Sequence, residues 1–276
     1  MNQPQPHPSP NPAQAYEEHL VPFLFCPWAA ELLDRARPQP GERVLDVACG
    51  TGIVARMIAQ QLNGQGDIVG LDHSPAMVEV ARSVAAREGL AIEWHIGSAD
   101  ALPFPDASFD LVTIQQALQF FPNKAKAAAL GEVYRVLASG GRVVTATWTD
   151  IANNPFNHAF AEVIDCHLGT PAMHTPFSLG DQRALHTLFI EAGFETVAIE
   201  RVRRTVRRPS PETFVDLSID GAAAAIPALQ GMNAAERAAL TEAVRADMAA
   251  PLGAYTKGGE LVYPMEINIV AARKTN

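Results

Sequence analysis

The sequence predicts an α/β fold, a doubly wound open sheet covered by helices on both faces, and three observations carry that expectation. Short Val- and Ile-rich segments alternate with stretches of helical periodicity through the first 150 residues. The strand segments are apolar at successive positions, as burial on both faces requires. A glycine turn, Gly50-Thr51-Gly52, joins the first strand segment directly to a helical one.

Taken in order, Leu20, Phe23, Leu24, Trp28, Leu32 and Leu33 recur at helical spacing between Tyr16 and Ala36, broken by Pro22 and Pro27, so one or two short helices precede the sheet. Arg43–Ala48 reads as the first strand and Ile53–Leu62 as its helix; Ile68–Leu71 reads as the second strand. Ser74 as N-cap and Pro75 at the first helical position open a helix to about Glu88. Ile92–Ile96 is the third strand, Phe109–Gln115 the fourth after the turn Pro103–Ser108, and Arg142–Trp148 the fifth after Gly140-Gly141, with a helix from Lys124 to Leu137 between the last two. Beyond residue 150 the pattern changes to a Pro- and His-containing segment (151–180), a helix near 181–192, a strand near 196–206, an Ala-rich helical region (211–250) and a last strand near 261–272. Asn233, with Glu236 three residues on, forms an N-cap and capping pair. Segments 151–180 and 209–257 read as insertions covering the site of one domain, residues 15–276. Residues 1–14, with Pro4, Pro6, Pro8, Pro10 and Pro12, read as an extended tail.

The 276 residues are 48% hydrophobic and 18% charged, an ordinary globular composition. Thirty acidic against 21 basic residues give a formal charge of −9, which disfavours nucleic acid and anionic lipid as partners. Arg201, Arg203, Arg204, Arg207 and Arg208 accordingly read as a solvated strand edge rather than an anion or RNA patch. No run approaches the roughly 18 apolar residues of a membrane helix, and the first basic residue is Arg35, so no targeting segment is read. Cys26, Cys49 and Cys166 lack C-x-x-C spacing, which argues against a disulfide framework or zinc site and for a reducing, cytoplasmic setting. No histidines stand at H-x-x-x-H spacing, so no metal is expected.

The chemistry concentrates in Val44–Gly52 (VLDVACGTG). Glycines there let backbone N–H groups approach a ligand at the mouth of a helix, and a nucleotide-like ligand is expected. Gly50-x-Gly52-x-x-Ala55, with Asp72 twenty residues after Gly52, also satisfies a dinucleotide fingerprint. Asp46 discriminates: a carboxylate inside a strand needs a partner, and a cationic ligand such as S-adenosylmethionine provides one. Asp100, after the third strand, can accept from an adenine amino group. Turn or capping duty is the competing explanation for each of the three acids.

At these residues the chain resembles the class I S-adenosylmethionine-dependent methyltransferases, in the small-molecule branch that includes the ubiquinone/menaquinone-biosynthesis type. The resemblance spans about residues 40–150. It rests on Val44–Gly52, Gly70-Leu71-Asp72 with Ser74-Pro75-Ala76-Met77, Gly97–Phe104 (GSADALPF), Phe109-Asp110, and Val136-Leu137 leading to Gly140-Gly141. It implies a Rossmann-like, seven-stranded mixed sheet of order 3-2-1-4-5-7-6 with helical insertions forming a lid. It also implies S-adenosylmethionine as cofactor: Asp46, Gly50 and Gly52 around its methionine part, Asp72 at the ribose, Met77 beside the adenine, Asp100 and Ala101 at its amino edge, Gln116 near the transferred methyl, and Ala48 and His73 as further contacts. Ala48 departs from the family, many of whose members have glycine there.

The implied activity is methyl transfer to O, N or C of a small aromatic or apolar molecule. Two alternatives stay open at this level, a non-catalytic S-adenosylmethionine-binding homologue and an NAD-dependent dehydrogenase. Candidate bases are His158, His167 and His174 in the first insertion, with Tyr16 and His19 as rivals; Cys49 reads as a small loop residue. Phe104 and Phe109 read as core, whereas Phe120 and Phe121 could wall the acceptor pocket. Phe156, Phe160, Phe177, Phe214, Leu217, Ile219, Ile226, Leu229 and Met232 could line it, or could simply pack the cover against the sheet. A small-molecule acceptor is the expected partner, with a homodimer left open.

Overall fold

The computed structural model describes residues 12–222 and 227–275. Helix α1 (Pro12–His19), a π turn at Val21–Phe25 and α2 (Cys26–Ala36) lead into β1 (Arg43–Val47). Then follow α3 (Ile53–Leu62), β2 (Asp67–Asp72), α4 (Pro75–Arg87), β3 (Glu93–Ile96), β4 (Phe109–Gln115), α5 (Asn123–Val136) and β5 (Leu137–Trp148). The remainder is α6 (Pro155–Leu168), α7 (Gln182–Glu191), β6 (Thr196–Arg208), α8 (Phe214–Ala222), α9 (Pro227–Gln230), α10 (Ala234–Asp247), α11 (Ala249–Tyr255), β7 (Thr256–Lys257) and β8 (Glu260–Arg273).

The strands lie in the order β3-β2-β1-β4-β5-β8-β6, the expected order with one addition, the two-residue β7 that pairs with β8. β1 through β5 are mutually parallel, and β8 runs antiparallel to both β5 and β6. Parallel strands joined by helices are buried on both faces, and Val44–Val47, Leu111–Ile114 and Val143–Trp148 are buried without a break. Trp28, Leu32, Val54 and Ile58 from α2 and α3 pack one face, while Leu130, Val133 and Phe189 from α5 and α7 pack the other. Because β1 and β4 are neighbours while the chain winds outward from each, the sheet opens a crevice beyond their carboxyl ends.

The expected tail is shorter than the prolines suggested: α1 begins at Pro12, and residues 1–11 lie outside the described residues. Proline is tolerated in the first turn of a helix, where its missing N–H has no partner to lose. Ala13 packs with Val80 and Val84 of α4, and Glu17 reaches the Arg56 guanidinium at 2.7 Å. Arg56 is 4% exposed and also binds Glu88 at 2.8 Å, so one buried cation ties α1, α3 and the end of α4.

Past Trp148 the β6–β8 ladder continues without β5, and the short β7 joins β8 at its far end. β5 pairs with β8 only as far as Trp148 opposite Ile267, whereas β6 stays paired until Arg208 faces Leu261. This arm carries the two insertions. Phe156, Phe160, Phe214 and Tyr263 meet there, with Phe156 4.4 Å from Tyr263 and 4.9 Å from Phe214 between ring centroids. His167 Nε2 to Asp247 at 2.8 Å joins α6 to α10, and Arg245 to Asp216 at 2.6 Å joins α10 to α8. Asn233 and Glu236 form the expected capping box of α10.

The cover therefore corrects the expectation of a pocket lined by its apolar residues. Phe156, Phe160, Phe177, Phe214, Ile219 and Leu229 are buried as the cover's own core, Leu217 and Met232 are half-buried, and Ile226 lies outside the described residues. Burying such side chains stabilises by about 1.5–3 kcal/mol each, more than leaving them to wall open space. Phe104 and Phe109 are paired edge to face at 5.1 Å, in agreement with a core role.

The stem of segment 151–180 is closed by backbone contact. A Cβ on Gly180 would stand 2.1 Å from the Asp150 nitrogen. Asn268 Nδ2 donates to the Gly180 carbonyl at 2.8 Å, and Asn154 donates to Thr149 and accepts from the Glu266 N–H. Gly180→Ala is expected to destabilise by about 2–3 kcal/mol through overpacking, read from urea unfolding. Arg56→Ala leaves the half-buried Glu17 carboxylate unpaired, at a cost of about 1–3 kcal/mol; accelerated proteolysis within residues 12–25 would show α1 released.

Candidate functional site

The crevice is floored by the turn after β1. Ala48, Gly50 and Gly52 all have positive φ, at 53°, 56° and 83°. For Ala48 this left-handed conformation costs roughly 1 kcal/mol, the physical content of its departure from glycine. The two glycines do different work. A Cβ on Gly52 would lie 2.3 Å from the Trp94 indole, which also fills the space above Gly70, so Gly52 makes room for protein rather than for ligand. Nothing lies within 4 Å of a Cβ on Gly50, whose face is open.

Asp72, 5% exposed at the end of β2, staples this turn. Its Oδ2 accepts the Gly50 N–H at 2.8 Å and its Oδ1 accepts the Ser74 N–H at 2.9 Å. A carboxylate has about four lone-pair directions, so two remain for a ligand hydroxyl. Turn duty and ligand binding are thus compatible at Asp72. His73 beside it is largely exposed, its Nδ1 3.4 Å from Asp72 Oδ1.

Asp46 is 1% exposed in β1, accepting from Thr113 Oγ1 at 2.8 Å and from the Ala55 N–H of α3 at 3.2 Å. Burial pushes its carboxyl up to about 7; the two hydrogen bonds oppose the shift, and the nearby negative Asp72 adds to it. Burial likewise pushes the Cys49 thiol well up, with Asp46 and Asp72 contributing, so Cys49 is no nucleophile.

The loop after β3 brings Asp100 and Ala101 to the same rim, both exposed. Asp100 is bonded by the Ser98 hydroxyl. The loop is held from behind by α5: Glu132 accepts the Leu102 N–H at 2.8 Å, and Arg135 donates to the Leu102 and Phe104 carbonyls. Met77 is half-buried in the first turn of α4, which Ser74 caps.

Gln116, 5% exposed with φ 50°, ends β4, and its N–H reaches the Ala146 carbonyl at 2.8 Å. Its side chain accepts from Gln119 Nε2 at 3.2 Å. That leaves Gln116 Nε2 and Gln119 Oε1 buried without partners, and Thr51 Oγ1 in the glycine turn is orphaned in the same way. Such groups cost about 1–3 kcal/mol each unless something binds them. An open Gly50 face and orphaned polar atoms at the ends of β1 and β4 are what a polar nucleoside-type ligand would complete.

Tyr16 of α1 stacks on Phe25 at 5.0 Å over this region, and burial together with the negative Asp72 raises its hydroxyl far above the ordinary phenol range. It stays protonated and is no general base. His158, His167 and His174 each face a carboxylate of the cover (Glu162 at 3.8 Å, Asp247 at 2.8 Å, Asp165 at 3.0 Å), and His19 is exposed at the end of α1. Phe120 is 40% exposed at the crevice side of β4, with Phe121 half-buried beside it.

Sequence reasoning missed Thr51, Gln119, Trp94 and Arg56. Thr51 and Gln119 lie one and three residues from predicted positions, which is the only signal they carried. Trp94 and Arg56 carried none, because their roles depend on β3 and α1 reaching the glycine turn and α3. Among the described residues no three His, Cys, Asp or Glu side chains gather as a metal site, and no helix is long and apolar enough to cross a membrane.

Residues 44–141 match a family described as the methyltransferase domain. Over 117 residues, 42% of this chain and 52% of the relative, the sequence is 43% identical to a demethylmenaquinone methyltransferase of Thermus thermophilus. Over 130 residues, 44% and 51%, it is 39% identical to the ubiquinone/menaquinone biosynthesis C-methyltransferase UbiE of Xanthomonas oryzae. The chain spans about half the length of these relatives. Among solved structures, the YcgJ protein of a Bacillus superposes with a TM-score of 0.57 at 20% identity, covering 90% of this chain and 98% of that one. A Haemonchus contortus phosphoethanolamine N-methyltransferase holding S-adenosyl-L-methionine reaches 0.59 at 18%, covering 96% and 57%. These distant likenesses establish the fold, and within it residues 44–141 match the methyltransferase domain family.

Proposed function

We propose that the chain is an S-adenosylmethionine-dependent methyltransferase that modifies a small organic molecule, acting in the cytoplasm. The observation that carries this reading is the pair of buried carboxylates, Asp46 and Asp72, beside the open face of Gly50. Two acids in one dry crevice favour a ligand that brings positive charge, and S-adenosylmethionine carries an ammonium and a sulfonium. An NAD site needs only the acid at Asp72.

When bound, S-adenosylmethionine supplies a methyl group already activated on sulfur. The chain's own task is then alignment and dehydration. The Gly50 turn, held by Asp72, gives the ligand a fixed floor, and the free lone pairs of Asp72 suit ribose hydroxyls. Asp100 and Met77 stand where the adenine would lie, and the orphaned Gln116 amide faces the chemistry at the end of β4. Tyr16, stacked on Phe25 and with its hydroxyl raised by burial and the nearby negative Asp72, is placed to shield the crevice from water. Held reactants gain large effective molarities without a dedicated base, which agrees with histidines that are engaged elsewhere in the cover.

Calorimetric titration tests the reading: S-adenosylmethionine should bind, NAD should not, and Asp72→Ala should weaken binding about tenfold or more, as loss of a charged hydrogen-bond acceptor does. Binding of NAD alone would overturn it. The raised Asp46 gives a second expectation. The folded, ligand-free protein holds a proton on Asp46 that the unfolded chain has lost, so this group's contribution to stability falls as pH rises from the ordinary carboxylate range to about 7. Asp46→Asn should therefore stabilise the ligand-free protein above neutral pH by about 1–3 kcal/mol and progressively less toward acid. A cationic ligand draws Asp46 toward its charged form, so binding near neutral pH should release a proton, seen as a buffer-dependent heat that Asp46→Asn abolishes.

A further inference from the structure

The five arginines of β6 were expected to form a solvated edge, and four of them do. Arg201, Arg203 and Arg207 are exposed against Glu266 and Glu260, and Arg204, also exposed, lies against Glu31. Arg208 departs from the pattern. It is 5% exposed, and among the described residues no carboxylate lies within 4 Å of it. Its neighbours are the Phe214 ring, 5.1 Å from the guanidinium carbon, and Tyr263, 2% exposed, whose hydroxyl feels its charge. An aromatic face and one phenol leave most of its five donors without a charged acceptor.

A buried cation without a counter-charge costs several kcal/mol, and chains tolerate it where a ligand supplies the anion. The place fixes which ligand. β6 stands four strands from β1 across β4, β5 and β8, about 19 Å at the usual spacing, so the cofactor crevice is out of Arg208's reach. The arm leans over that crevice nonetheless: Arg204, on the same strand face, donates to the Pro27 carbonyl at 2.9 Å, and Gln115 at the end of β4 donates to the neighbouring Phe25 carbonyl at 2.8 Å. α8, which carries Phe214, packs against α1.

We propose that Arg208, with the Tyr263 hydroxyl, holds an oxyanion on the methyl acceptor, a carboxylate or phenolate at the end distant from the methylated atom. This rests on the proposed methyltransferase reading and narrows its acceptor from an apolar molecule to an anionic one with an apolar body. The aromatic cover core then shields the ion pair from water, where a charge-assisted bond is strongest.

The test uses 2-naphthoate and its neutral analogue 2-naphthamide as probes, titrated into the full chain with S-adenosylhomocysteine present. The carboxylate should bind about tenfold tighter than the amide. Arg208→Met, which keeps the packing of the stem, should abolish that preference; Arg208→Lys should keep part of it, and Tyr263→Phe should reduce it. Equal binding of the two probes, no binding of the carboxylate, or a preference that survives Arg208→Met overturns the proposal. S-adenosylmethionine titrated into each variant separates the two readings, since its binding should be unchanged when Arg208 is altered. Loss of cofactor binding by the unaltered chain would instead overturn the methyltransferase reading.

Discussion

The crevice depends on one carboxylate. Asp72 takes the N–H of Gly50 with one oxygen and that of Ser74 with the other, joining the turns after β1 and β2. Without it, the turn with left-handed Ala48, Gly50 and Gly52 would lose the partner that compensates its strain, and the cap of α4 would lose its support. Every contact assigned to the cofactor, from Gly50 to Met77, is referred to that bridge. The Trp94 indole supports the turn on its other side, wedged against Gly52 and Gly70 where no side chain could stand.

The doubly wound sheet was legible because its signals are local. The Val-rich β1, its glycine turn and the Ser74-Pro75 cap each announce themselves within a few residues, and the strand order follows from the family they resemble. The Asp46, Asp72 and Asp100 positions were legible for the same reason, being tied to strand ends. What Arg56 and Trp94 do was not, since each acts on an element far away in sequence. The start of α1 was misjudged because Pro12 reads as tail by composition while its neighbour Ala13 is buried against α4.

The cover shows where periodicity misleads. Its phenylalanines are apolar and lie in an insertion, which satisfies a pocket lining and a small core equally well; only the ring-to-ring distances near 5 Å decide for the core. Arg208 was hidden by the opposite effect. Four neighbouring arginines that behave as an edge gave it their character, yet the strand continues past β5 and turns its last residue inward among aromatic rings.

That continuation of the β6–β8 ladder has a further consequence. The cover stands on an arm of β6 and β8, edged by the short β7, that is not paired with β1, β2 or β4. Substitutions on the arm and its helices can accumulate without disturbing the register of the strands that form the crevice. Kinship to the relatives is accordingly concentrated in less than half of the chain. The molecule joins a half whose strand register is fixed to one that is free of it, so the cover can change while the crevice stays as it is.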